Sequence, residues 1–207
     1  MKVLLINGSP RQNGCTFTAL TEIAKTLEAD GISAELIQLG NKPVRDCIAC
    51  GGCAGKGKCV FDDDIVNEII NKAKESDGFV FGTPVYYAHP TGRVLSVLNR
   101  VFYAGKAEFM HKPAAAIASA RRGGSAAAFD VMNKYFSITQ MPIVSSSYWN
   151  MVFGNTPDEV KQDKEGMQTM INLAKNMAWL LKCIACGKTG GVTPPDNILT
   201  VRTNFIR

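Results

Sequence analysis

Histidine is almost missing from this chain: His89 and His111 are its two copies. They fall in different loops with no ligand-like neighbour, which leaves little material for a histidine-built metal centre or general base and makes loop filling their expected role. No apolar run approaches the length that spans a bilayer. The apolar start, Val3 to Ile6, is too short for a secretory signal, so a soluble, cytoplasmic protein is expected. No block of Lys/Arg occurs either. The net charge is +5, and Arg121-Arg122 and Lys182/Lys188 are too sparse for a duplex footprint, so the mild excess suits anionic small molecules, not nucleic acid. Two phosphate signatures are absent as well: the first glycine loop is followed by no Gly-Lys-Ser/Thr, and no G-x-G-x-x-G turn is present. Nor is there a repeat, low-complexity tract or linker. One domain over residues 1–207 is the expectation.

What is present is a regular alternation. Lys2-Val3-Leu4-Leu5-Ile6 reads as a buried strand that stops at the polar loop Asn7–Thr16. Phe17, Leu20, Ile23, Ala24 and Leu27 then recur with helical spacing. Further strands are expected at Ala34–Leu39, Asp77–Gly82, Pro113–Ala118 and Pro142–Ser146. Helices are expected from Asp62–Asp64 onward, over Gly92–Ala104, after Gly124 through Ser137, and as one long or broken helix over Asp158–Cys183. Such alternation implies an α/β fold with a parallel sheet covered on both faces. Five strands with a phosphate loop after the first suggest a doubly wound, flavodoxin-like sheet of order 2-1-3-4-5, with a ligand at the switch between strands one and three.

Three loops would then meet at the carboxyl ends of the strands. In the first, a helix N-terminus aims free N–H groups at an anion; Ser9, Thr16 and Thr18 add hydroxyls, and Arg11 a permanent charge. In the second, Pro84 fixes the backbone while Tyr86 and Tyr87 offer flat faces suited to an aromatic heterocycle. The third combines cationic Arg121 and Arg122 with Gly123-Gly124, which permit close approach. Each is an ordinary loop taken singly. At three successive strand ends they fit one ligand with a phosphate at one end and a flat ring at the other.

The pattern Gly8-Ser9-Pro10-Arg11…Gly14-x-Thr16, Thr83-Pro84-Val85-Tyr86-Tyr87 and Arg121-Arg122-Gly123-Gly124 resembles the NAD(P)H-dependent FMN reductase family of the flavodoxin-like superfamily. The resemblance runs along essentially the whole chain, including Tyr148-Trp149-Asn150 and the end Thr203–Arg207. It implies that Ser9, Arg11, Asn13, Cys15 and Thr16 surround an FMN phosphate, that Pro84, Val85, Tyr86 and Tyr87 line the isoalloxazine, and that Ala120, Arg121, Arg122, Gly123 and Gly124 close its other edge. Relatives often carry Asn at the position of Cys15, where a thiolate would repel the phosphate. The implied activity moves electrons from NAD(P)H through FMN to a small acceptor such as a quinone, a flavin or ferric iron. The flavin carries that chemistry, so no catalytic side chain is demanded. A homo-oligomer, dimer or tetramer, is implied by the family and by the aromatic Phe136 and Tyr148-Trp149.

Seven cysteines in a reducing compartment point to metal, cluster or redox use more than to disulfides. Four of them form the compact run Cys47-x2-Cys50-x2-Cys53-x5-Cys59, with glycines between, as in segments that wrap a cubane iron–sulfur cluster. This spacing resembles the iron–sulfur flavoproteins, and the alternative function is therefore electron transfer with a 4Fe–4S cluster on these four thiols. A lid of free thiols over the flavin fits the same spacing, as it does in relatives with FMN alone. A non-catalytic FMN-binding module is a third reading. Cys183-x2-Cys186 suits a core or cap role on the last helix, Asp62–Asp64 a helix start, and Met141, Trp149 and Met151 a core or subunit interface.

Overall fold

Short runs of Val, Leu, Ile, Phe and Ala, each closed by a polar loop and followed by a helical pattern, organise the chain. The computed structural model describes residues 1–198, 200, 201 and 203; residues 204–207 of the C-terminal motif lie outside them. The elements are β1 (Lys2–Asn7), α1 (Cys15–Ala29), β2 (Ser33–Gln38), α2 (Val66–Lys74), β3 (Gly78–Pro84), α3 (Gly92–Gly105), β4 (Ala114–Ala120), α4 (Ser125–Ile138), β5 (Met151–Phe153), α5 (Pro157–Gln162) and α6 (Lys164–Thr189). All strand pairs are parallel, in the order β2-β1-β3-β4-β5. This is the flavodoxin-like order expected from the sequence.

Both faces of the sheet are buried, so the central strands read as unbroken apolar runs whose alternate residues serve different layers. Leu4, Ile6, Phe79, Phe81, Ala114 and Ala116 face α2, α3 and α4. Val3, Leu5, Val80, Ala115 and Ile117 face α1, α5 and α6. The small residues of β4 leave room on the first face for an aromatic cluster, with Phe79–Phe109 and Phe81–Phe136 centroids 4.7 and 5.3 Å apart. Among the described residues no helix is long and apolar enough to cross a membrane.

The fifth strand is not Pro142–Ser146 as the apolar pattern suggests. That segment touches β4 through the single bridge Ala114–Ile143 and then leaves the sheet. Its serines bond to α6 instead: Ser146 Oγ donates to the Thr169 carbonyl (2.6 Å), Asn172 Nδ2 donates to Ser147 Oγ, and Asn176 Nδ2 to the Ser145 carbonyl. Polar side chains that capture local backbone groups compete with a ladder. The chain rejoins β4 at Met151–Phe153, with Asn150 Nδ2 taking the Ala116 carbonyl in place of a strand neighbour. The last helix is broken at Asp163, whose carboxylate caps α6 at Gly166 N (2.9 Å) and accepts Phe153 N (2.7 Å). α6 runs on to Thr189, and Cys183 and Cys186 are exposed on it, so neither fills the core.

Candidate functional site

The β1–α1 loop is held from three sides. Asn7 is buried; its Oδ1 accepts Ser9 N (3.1 Å) and its Nδ2 donates to Gln38 Oε1, while Gln38 Nε2 donates to the Ser9 carbonyl (2.6 Å). Gly8 N donates to the Gly82 carbonyl of β3 (2.8 Å), and Thr91 Oγ1 donates to the Gly8 carbonyl (3.0 Å). Ser9 Oγ accepts Arg11 N (3.1 Å), which leaves its hydroxyl hydrogen free to donate. Thr18 is committed otherwise: its hydroxyl returns to the Gly14 carbonyl (3.1 Å), so it adds no donor to the loop.

Among the described residues, side chains cap α3, α5 and α6 through Thr91, Thr156 and Asp163, and Asp64 Oδ1 takes the Val66 N–H of α2. α1 and α4 start at Gly14 and Gly124 with no side-chain cap and no acidic residue in the first turn. These are the two helices that follow β1 and β4 and flank the expected site. Their first N–H groups and positive dipole ends are available to an external anion.

The second loop is a tight turn. Tyr86 and His89 exchange two backbone hydrogen bonds, each 2.9 Å, and Tyr87 and Ala88 both have positive φ (51° and 61°). That is the type I′ pattern, here without the Gly or Asn that usually supplies it. Tyr86 is half exposed and Tyr87 fully so. The third loop packs on this turn: Gly124 has φ 88°, and a Cβ there would lie 2.8 Å from Ala88 Cα. Val85 N donates to the Ser119 carbonyl (3.0 Å), and Ser119 Oγ bonds Thr16 Oγ1 (2.7 Å) in a buried contact.

The structure thus brings all three loops to one edge of the sheet. Thr16 and Ser9 are buried at its centre, with Arg11, Asn13, Tyr86, Tyr87, Arg121, Arg122 and Gly123 exposed around it. Cys15 points elsewhere. Its thiol donates to the Gly154 carbonyl (3.6 Å), and burial pushes its pKa up, so the neutral form is favoured and the repulsion expected of a thiolate does not arise. The sequence does not single out Gln38 and Thr91; it marks Asn7 and Ser119 only as the first residues of two of the loops, not for the bonds they make. His89 and His111 stay apart, in the β3–α3 turn and near the start of β4.

The cysteine run occupies the β2–α2 connection. Cys47, Cys50, Cys53 and Cys59 all line one cavity of about 130 Å³, closed by Phe61, Arg100 and Tyr103. Ala49 and Gly51, which line it, and Gly55 and Gly57 farther along the loop have positive φ, so the segment turns repeatedly on itself. Asn67 clamps its far end, with Oδ1 accepting Cys59 N (2.8 Å) and Nδ2 donating to the Cys59 carbonyl (3.0 Å). Among the described residues no three His, Cys, Asp or Glu converge as they would on a single metal ion. In a cubane held by four thiolates each sulfur binds a different iron, so the donor set that fits is four cysteines along one cavity, and Cys47, Cys50, Cys53 and Cys59 supply it. The Asp62–Asp64 segment does more than start a helix: Asp64 pairs with Arg100 in the protein interior.

A sequence model described as NADPH-dependent FMN reductase matches residues 1–156. An iron–sulfur flavoprotein of Methanocaldococcus jannaschii is 32% identical over 192 residues, covering 89% of this chain and 99% of its own length. An NADPH azoreductase of a Bacillus species is 28% identical over 137 residues, 64% of this chain and 65% of that one. Among solved structures, a flavone reductase superposes with a TM-score of 0.67 at 19% identity, covering 89% of this chain and 64% of that one.

Proposed function

From the premise that the chain belongs to the NADPH-dependent FMN reductase family, and is a flavin-dependent oxidoreductase, we propose that it oxidises a reduced nicotinamide and passes the electrons to a small quinone, flavin or ferric acceptor. When bound, FMN would supply the redox chemistry, a hydride acceptor able to pass electrons on to a second partner. The chain's own residues hold and orient it. The N-terminus of α1, with the Ser9 and Thr16 hydroxyls, the Arg11 guanidinium, Asn13 and the backbone of Cys15, receives the phosphate. Pro84, Val85, Tyr86 and Tyr87 line one edge of the ring, and Ala120 to Gly124 the other. The observation that carries this reading is the pair of uncapped helix starts, α1 and α4, joined by the buried Thr16–Ser119 contact.

The test combines occupancy with turnover. Purified protein should carry FMN and oxidise NADH or NADPH in the presence of a quinone, ferric or free-flavin acceptor. With Ser119 donating to Thr16 Oγ1, both the Ser9 and the Thr16 hydroxyl hydrogens are open to the phosphate, and Ser9→Ala/Thr16→Ala loses two charge-assisted donors at about 1.5–3 kcal/mol each. Flavin affinity should fall at least a hundredfold, with the fold intact by circular dichroism. Full FMN retention in that variant would overturn the phosphate assignment.

A second reading is favoured by one observation, the four cysteine side chains around a single cavity. When bound there, a 4Fe–4S cluster would be held by Cys47, Cys50, Cys53 and Cys59 and would exchange electrons one at a time. The loop lies along α3, whose first turn adjoins the flavin loops: Arg93 Nε donates to the Lys42 carbonyl and Asn99 Nδ2 to Asp46. Iron and sulfide analysis of anaerobically purified protein decides between this and a thiol lid. The exposed Tyr148 and Trp149 further support a homodimer, and the free thiols a reducing, cytoplasmic setting.

A further inference from the structure

One buried cation ties the cysteine loop to the rest of the fold. Arg100 sits on α3 among Val97, Leu98, Val101 and Ala104, where the helix turns toward the core, and its side chain is 1% exposed. A guanidinium stays charged at any working pH, so in such a place it must be surrounded by acceptors. Nη1 donates to the Arg45 carbonyl (3.1 Å) and to the Asp64 carboxylate, Nη2 to the Phe61 carbonyl (3.0 Å), and Nε to Cys59 Sγ (3.4 Å). All four acceptors belong to the β2–α2 connection. Burial alone would lower the pKa of this arginine, but the bonds to Asp64 and Cys59 outweigh it and raise it. Asp64 already balances the charge. The Nε–H aimed at sulfur therefore answers no need of charge balance.

We propose that Arg100 is a positioning residue for the cysteine site: it fixes Cys59 Sγ as a ligand and, with a 4Fe–4S cluster bound, raises the reduction potential of that cluster. This rests on the cluster reading given above. Reduction adds one electron and one negative charge to the cluster, with no bond made or broken; the electron comes from the reduced flavin in turnover or from a chemical reductant in a titration. An N–H donor on a ligand sulfur stabilises the more negative state, and because Asp64 offsets the guanidinium charge, the bond from Nε carries the effect. The Arg100 side chain is almost wholly buried, so its bond to sulfur is weakly screened.

Two variants of the anaerobically purified holoprotein test this. Arg100→Lys keeps a charge but loses the planar fork that reaches sulfur and carbonyls together. Arg100→Gln/Asp64→Asn removes both charges and the Nε–H that meets Cys59 Sγ, and leaves no orphaned ion in the interior. Iron and sulfide per chain, FMN content and a mediated dithionite titration are read on each. In the double variant the one-electron equilibrium should shift about tenfold toward the oxidised cluster, a potential about 59 mV lower for one electron, with the flavin potential unmoved. Loss of iron with FMN and circular dichroism intact in both variants would equally support the positioning of Cys59. Full iron and an unchanged potential in both would overturn the role of Arg100 and leave the cluster reading standing. Wild-type protein that holds no iron, even after reconstitution with ferrous iron and sulfide, would overturn the cluster reading and this inference with it.

Discussion

Tyr87 holds a φ of 51° with its ring fully open to solvent. A residue with a Cβ gives up about 1–2 kcal/mol in this region, and tyrosine lacks the short side chain that lets Asn or Asp sit there. Ala88 stands in the same region beside it. The turn persists because its neighbours dictate it: Ala88 packs against Gly124, and Tyr86 and His89 close the ladder. Tyr87→Asn should therefore raise stability by up to about 1 kcal/mol, or about 2–4 °C in melting temperature. The same change should weaken FMN binding, because the flat apolar face is lost. Calorimetry and a flavin-quenching titration on one preparation check both signs; a lowered melting temperature would remove the strain argument. At this scale the sequence showed residue types and not their partners. Glycine, proline and hydroxyl spacing marked Ser9, Arg11 and Tyr86 as candidates, and the structure places them at one edge of the sheet. The Thr16–Ser119 bond joins positions 103 apart in sequence, and no local pattern announces it.

Three elements are joined by one carboxylate. Glu35 on β2 pairs with Lys2 on β1 (2.5 Å) and with Lys72 on α2. Its pKa is lowered, first by the hydrogen bonds from Lys2 and Lys72, and that of Lys72 is raised by the same contact. A carboxylate with a depressed pKa stabilises the fold fully above its unfolded value, near 4.3, and loses that contribution as pH falls through the folded one. Lys72 acts in the opposite direction: its contribution is present below the unfolded lysine value and fades as pH rises through the higher folded one. In Glu35→Gln the melting temperature should be lower at neutral pH and should fall less between pH 5 and 3 than in the wild type. Parallel acid profiles for the two proteins would refute the linkage. Elements were the best-read level, since periodicity and loop composition are local. The exception is instructive. Pro142–Ser146 has the apolar content of a strand, but Asn176 of α6 takes the Ser145 carbonyl and Ser146 turns its hydroxyl to the Thr169 carbonyl of α6, so the segment is drawn to the helix and the sheet gains its fifth strand at Met151–Phe153.

For the molecule as a whole, one pair of exposed rings lies in the β4–β5 connection, outside the three loops of the candidate site. Tyr148 and Trp149 are each more than half exposed with rings 5.3 Å apart, and Ile143 and Phe153 are exposed nearby in the chain. Such rings are enriched in the cores of protein interfaces, and a self-complementary patch makes the symmetric dimer the simplest assembly. Sedimentation at micromolar concentration should find a dimer, and Trp149→Glu should shift it toward the monomer with FMN retained. A wild-type monomer at that concentration would sink the assignment.

The order of strands and helices, the two-faced sheet, the three loops at its carboxyl edge and the cysteine spacing were all determined by the sequence alone. Each is written in residues close together along the chain: a burial period, a turn residue, a helix start. Only the tertiary structure decided which hydroxyls remain free to donate, where the fifth strand lies, that Cys15 turns to Gly154, and that Arg100 reaches Cys59. Those outcomes depend on satisfying every buried donor and charge at once, and the partners that do so come from elements far apart in sequence.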